Sequence, residues 1–352
     1  MQNRWIKSPK WDLTWLIGSV VVVPLAPLLF HLGMTPARVA MIVMLLVGGP
    51  HVFVTFTRTN MDPRFVRNHR IYTRLAFLIP FLTATFAWLA TPLFLTVFFT
   101  WASLHVLQQI VYVANCYSSR QDIAPTPLER WAEYGLIFSC LYPFATVRMV
   151  EGTFMLDGTR LLVPEAILGP GLVYTAFAVF GVFLVGWLVL TVRRYLRGTL
   201  HYGKTALLTA TVTATFFTPL FQNLDVAFQG INSWHCIQYL ALIWYANRLR
   251  ADRGEVELGF VRSISARGVP GFLRYYLSAV AGTVLIIGIV FGVAAIVPRG
   301  ADGRPIVSEL LIYYMIGKGL LLTHYYYDTF LFTQRDELSA APPATTPAAA
   351  AA

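Results

Sequence analysis

The chain has 352 residues, 57% hydrophobic and 12% charged, with a formal net charge of +10. A water-soluble domain of this length needs a larger charged surface, so the composition excludes one and predicts a polytopic membrane protein. The basic residues lie between apolar runs, with no stacking module or basic recognition motif, which excludes nucleic-acid binding.

Apolar runs of about 20 residues match the length that spans a hydrocarbon core of about 30 Å. They predict an all-α integral membrane protein, a helical bundle of about ten transmembrane helices. The spans fall near 13–33, 37–57, 71–91, 93–116, 131–150, 171–192, 204–223, 227–247, 275–298 and 309–332. The basic start, MQNRWIKSPKWDLTW, leads into a run with no clean cleavage site and reads as the flank of a retained first span. Between the seventh and eighth runs, PLFQNLDVAFQGINSW carries Asn223, Asp225 and Gln229 and reads as a tight turn or an unwound helix. The long basic loop Ala251–Gly271 fits either the inner membrane surface or solvent. Residues 1–338 read as one polytopic domain. The tail from Ser339, SAAPPATTPAAAAA, is of low complexity and expected to be disordered.

Orientation follows from the arginines. Arg58, Arg64, Arg67, Arg70 and Arg74 follow the second span, and Arg193, Arg194, Arg197 and Lys204 follow the sixth. Arg248, Arg250, Arg253, Arg262, Arg267 and Arg274 follow the eighth. Basic loops stay on the cytoplasmic side, so both termini are expected there, in what reads as a bacterial inner membrane. The three cysteines, Cys116, Cys140 and Cys236, form no CxxC pair and read as small buried apolar residues.

Seven histidines are present. His31, His69 and His201 fall at span ends or in loops; the last two are second-rank candidates, because a metal site can recruit from a loop. His51, His105, His235 and His324 lie inside the second, fourth, eighth and tenth spans, all running outside to inside. At about 1.5 Å per residue each sits roughly 10–20 Å from its span's inner end, so the four share one slab of the bilayer. Gln108, Gln109 and Tyr112 follow His105 on one helical face. Gln238 and Tyr239 follow His235, and Asp328 follows His324. HVLQQIVYVAN and HCIQYLALIWYAN resemble each other, a pattern compatible with internal duplication and with chance.

One intramembrane histidine is most often an interhelical hydrogen-bond partner. Four at one depth, with amides and a carboxylate beside them, point to a shared ligand set. His51, His105, His235 and His324 are the candidate metal ligands. Asp328, Gln108 and Gln238 are the candidate second-layer or substrate-orienting groups, since a ligating imidazole passes its other N–H to such groups. Neutral imidazole with a carboxylate suits non-haem iron with positions open for dioxygen. A site inside the membrane implies a lipid-soluble substrate, such as a carotenoid, another isoprenoid or an acyl chain, and a redox partner. Two other readings stay open: a transporter using histidine, Asp225 and asparagines as a proton or solute pathway, and a haem b electron carrier.

GGPHV at Gly48–Val52 and SWHCIQY at Ser233–Tyr239 resemble segments of the bacterial Brp/Blh-type β-carotene dioxygenases, polytopic proteins believed to hold iron through intramembrane histidines. The resemblance covers short pieces of two spans and implies ligand roles for His51 and His235 and a carotenoid as substrate. Val52 stands where that family has a glycine. Gln238 and Tyr239 stand where it has an arginine and a second histidine.

Overall fold

The structure is a computed structural model that describes residues 5–156, 158–221, 223–298, 307–332 and 338. The expected disordered tail from Ser339 lies outside the described residues. In chain order the main helices are α1 (Pro9–His31), α2 (Pro36–Arg58), α3 (Arg70–Leu89), α4 (Thr91–Ser118), α5 (Pro127–Ser139), α6 (Tyr142–Val150), α7 (Pro170–Leu196), α8 (Tyr202–Phe217), α9 (Leu224–Asp252), α10 (Gly268–Ile296) and α11 (Gly319–Leu331). One hairpin, β1 (Met155–Leu156) with β2 (Thr159–Arg160), pairs antiparallel between α6 and α7.

Six helices among the described residues, α1 to α4, α7 and α10, are long and apolar enough to cross a membrane. The chain is an all-α membrane protein. The other predicted spans fall on shorter or more polar segments. The fifth is split into α5 and α6 at Cys140–Leu141, and α8 has only 16 residues. The tenth is continuous from Glu309 through a π-helical stretch, Tyr314–Lys318, into α11.

Burial is inverted relative to a soluble protein. The most apolar spans, α7 and α10, are the least buried, and Leu196, Ile296, Leu89 and Phe81 stand exposed on the outer surface. Lipid is the solvent for such faces. The polar helix is inside: α9 buries His235, Gln238, Tyr239 and Asn247 along with Trp234 and Leu242. A helix wrapped by other helices need not be apolar, provided its polar groups meet partners.

The polar stretch before α9 has a local cause. The chain breaks at the 3-10 turn Thr218–Leu220, and the Asn223 side chain accepts from the Val226 N–H at 3.0 Å as the N-cap of α9. Asp225 lies in the first turn, where the helix dipole favours an acid. From Leu224 onward the segment is regular α-helix, so the irregularity is a cap and a short turn.

Among the described residues three π-helical segments, Leu13–Ile17, Met44–Gly48 and Tyr314–Lys318, interrupt α1, α2 and the approach to α11. Such bulges shift carbonyls out of the regular ladder. Here the carbonyls of Leu16, Leu46 and Gly48 accept side-chain hydrogen bonds from Gln238, Tyr276 and His51.

Candidate metal centre

The four intraspan histidines come together. His51 projects from α2, His105 from α4, His235 from α9 and His324 from α11, each almost fully buried. Their contacts run in a closed ring: His51 to His324 at 4.6 Å between centroids, His324 to His105 at 5.1 Å, His105 to His235 at 5.0 Å, and His235 to His51 at 5.4 Å. Neighbouring ring planes are steeply crossed, between 73° and 87°. Neighbouring imidazoles therefore meet edge to face.

All four Nε2 atoms lack a hydrogen-bond partner among the described residues, as does Asp328 Oδ2. A buried polar atom left unpaired costs about 1–3 kcal/mol, so five at one place call for a compensating group. Asp328 Oδ2 lies 3.5 Å from His324 Nε2 and 3.6 Å from His105 Nε2. Two donors each about 2.1 Å from one ion sit about 3.0 Å apart at a right angle and about 4.2 Å apart when opposite. The Asp328 separations fall inside that window. Donor atoms of His51, His235 and His324 lie within 4.8 Å of one another, as do those of His105, His324 and Asp328.

The outer nitrogens are held unequally. His51 Nδ1 meets the carbonyl of Gly48, and Cys236 Sγ lies 3.2 Å from the same nitrogen. Donation to a carbonyl puts the proton on Nδ1 and leaves the Nε2 lone pair facing the centre. His324 Nδ1 lies 2.6 Å from Thr55 Oγ1. Neither nitrogen of His105 or His235 has a hydrogen-bond partner among the described residues, but the His105 ring stacks on Tyr325, 4.1 Å apart and 25° from parallel.

A second polar layer lies one turn further along each helix. Thr55, Gln109, Tyr239 and Asp328 are the i+4 residues of the four histidines. Tyr239 Oη donates to Asp328 Oδ1 at 2.6 Å and lies 2.8 Å from Thr55 Oγ1. Gln109 Nε2 donates to the His235 carbonyl at 3.1 Å.

Of the predicted second-layer groups, Asp328 is at the centre. Gln238 is fully buried, but its amide is engaged by Gln109 and by the Leu16 carbonyl. Gln108 is half-buried, and no hydrogen bond joins it to the cluster among the described residues; Gln109 occupies the inward position. The sequence reading passed over Thr55. Its signal is the i+4 spacing that had already marked Tyr239 and Asp328. His201 caps α8, its Nδ1 accepting from the Lys204 N–H at 3.1 Å, and His69 packs on Phe65 and Phe330, so both have roles elsewhere.

A groove of about 820 Å³ runs between α1 and α8, lined by Val20, Val23, Thr209, Ala210 and Phe217, among others, and by none of the four histidines. Comparison with known protein-family models, curated proteins and solved structures finds no match to this chain, so its function is argued from the cluster itself.

Proposed function

We propose that the protein is a membrane-embedded metalloenzyme in which His51, His105, His235, His324 and Asp328 hold one non-haem iron, and that it uses dioxygen on a lipid-soluble substrate. The observation that carries this reading is a fully buried cluster of four histidines and Asp328 that contains two metal-capable trios, His51/His235/His324 and His105/His324/Asp328, joined through His324, with every Nε2 and Asp328 Oδ2 lacking a hydrogen-bond partner among the described residues. Neutral imidazoles with one carboxylate suit a divalent first-row metal. Iron is favoured over zinc by the resemblance of Gly48–Val52 and Ser233–Tyr239 to the carotene dioxygenase segments, which also makes a carotenoid or other isoprenoid the preferred substrate class.

The geometry weighs against the two rival readings. Haem needs a flat macrocycle between two opposed imidazoles; four imidazoles crowding one point leave it no room. A proton or solute pathway needs polar continuity to both faces, and the cluster is at most 2% exposed. The orientation proposed is ten membrane passages with both termini cytoplasmic, in a bacterial inner membrane. Labelling single cysteines at positions 257 and 165 from either side tests it, the first expected inside and the second outside.

The deciding experiment is metal analysis and an absorption spectrum of the detergent-purified protein. About one iron per chain without a Soret band is the expected result, and it should fall to near zero in H51A/H324A. Absence of metal in protein purified from iron-replete cells, and after anaerobic addition of Fe(II), would sink the proposal.

A further inference from the structure

Around His324 three hydrogen bonds and one close polar approach form a loop. The loop leaves the imidazole at Nδ1, which lies 2.6 Å from Thr55 Oγ1. It passes from Thr55 Oγ1 to Tyr239 Oη over 2.8 Å and from Tyr239 Oη to Asp328 Oδ1 over 2.6 Å. It returns through Asp328 Oδ2, which faces His324 Nε2 at 3.5 Å. Four residues from three helices, α2, α9 and α11, take part, and all four are fully buried.

The donor inventory assigns a direction to this loop. The Tyr239 O–H donates to Asp328 Oδ1, the direction that a metal-bound carboxylate, which only accepts, requires. The phenol oxygen is then free to accept from the Thr55 hydroxyl. The alternative acceptor for that hydroxyl, the His51 carbonyl, is further away at 3.3 Å. With its hydrogen directed to Tyr239, Thr55 Oγ1 accepts from an N–H on His324 Nδ1. One proton then sits on Nδ1 and none on Nε2, so the Nε2 lone pair faces the centre. The same phenol hydrogen bond occupies Oδ1 and leaves Oδ2 as the carboxylate oxygen aimed at His105 and His324.

We infer that Thr55 and Tyr239 are positioning residues for the metal centre: they select the Nδ1–H tautomer of His324 and present Asp328 as a carboxylate ligand through Oδ2 alone. Neither touches the metal. The inference rests on the metal-centre reading above and adds to it two residues and a coordination mode. Ordinary core hydrogen bonding would satisfy each hydroxyl once and would have no reason to link Nδ1 of one imidazole to the carboxylate that faces its Nε2. Outer partners of this kind typically alter metal affinity by about 10–100-fold.

Cobalt(II) is the probe, because its visible ligand-field bands respond to coordination number and symmetry. Apo-protein is titrated anaerobically with Co(II), and affinity and bands are compared for wild type, Tyr239→Phe, Thr55→Val and Thr55→Ser. Thr211→Val serves as a control, since Thr211 is also fully buried but bonds only its own helix, to the Leu207 carbonyl. Tyr239→Phe and Thr55→Val are expected to weaken Co(II) binding about 10–100-fold and to change the band shape. Thr55→Ser, which keeps the hydroxyl, and Thr211→Val are expected to match wild type. Wild-type binding with unchanged affinity and bands in both Tyr239→Phe and Thr55→Val would overturn this inference alone. Failure of the wild type to bind Co(II) would overturn the metal reading and this inference with it. If Tyr239→Phe does not fold, the Thr55→Val and Thr55→Ser pair decides: equal affinity in the two overturns the role of the hydroxyl.

Discussion

Gln109 Nε2 donates to Gln238 Oε1 across 3.0 Å, and both amides are fully buried. The same Nε2 reaches the His235 carbonyl, while Gln238 Nε2 donates to the Leu16 carbonyl at 2.5 Å. One amide pair thus joins α4, α9 and the π-helical part of α1 beside the histidines. It holds the helices that carry His105 and His235 in register. Gln238→Leu strands the Leu16 carbonyl and one Gln109 donor contact, at about 1–3 kcal/mol for each buried group left unpaired. Thermal unfolding in detergent should show a lower midpoint for Gln238→Leu, and the Gln109→Leu/Gln238→Leu double variant should lose less than the sum of the singles. Strict additivity would argue that the pair is not coupled.

Removing metal should loosen the helix bundle. Without an ion, five buried donor atoms lack partners, and ligand binding to the folded state adds stability as RT ln(1 + [L]/Kd), about 2.7 kcal/mol at 100-fold saturation. Chelator-treated protein is expected to unfold at a lower temperature and to recover on addition of Fe(II). The quadruple histidine-to-alanine variant should show no such response. An identical midpoint with and without metal would contradict the centre.

Close approach of helices at glycine makes a packing prediction. A Cβ at Gly230 would lie 2.2 Å from the Val23 carbonyl oxygen, and one at Gly49 would meet the Thr283 side chain at 2.1 Å. The first clash is with backbone and cannot be relieved by a rotamer. Gly230→Val should therefore push α1 off α9 and cost at least the roughly 1–3 kcal/mol typical of overpacking. Size-exclusion profile and unfolding midpoint should both degrade, while Gly181→Val, on an open face of α7, should leave them unchanged.

The loop after α9 makes a pH prediction. Glu257 is clasped by Arg64 Nε at 3.0 Å and Arg67 Nη2 at 2.6 Å, and the Arg67 and Arg64 hydrogen bonds push its carboxyl down to about 2. The folded value lies below the ordinary one, so the clasp is present above the usual carboxylate range and is lost as pH falls toward 2. Carboxyl carbon shifts of labelled glutamate should place the Glu257 midpoint near 2, and Arg64→Gln/Arg67→Gln should raise it toward the ordinary value of about 4.3. The pair is exposed, so the unfolding midpoint should barely respond.

Much of this molecule is local and therefore written in the chain. Hydropathy marks the lipid-facing helices, because each apolar side chain is read by its own length of bilayer. The i+4 companions of the histidines follow from helix geometry, which makes Asp328 and Tyr239 legible as neighbours of His324 and His235. Asn223 is an N-cap by residue type and position, although its polarity alone reads equally as an unwound segment.

Only the tertiary structure decided which faces meet. Gln108 and Gln109 are equivalent by spacing from His105, yet one turns inward and the other does not, because helix rotation is set by packing against α9 and α1. The order of the ring, His51 to His324 to His105 to His235, links helices far apart in sequence, and no local pattern encodes that adjacency. Thr55 makes the same point. Its spacing from His51 is visible in the chain, but its contact with His324, 269 residues away, exists only once α2 and α11 pack together. Residue type and periodicity supplied the donors; the packing of four separate helices brought them into contact.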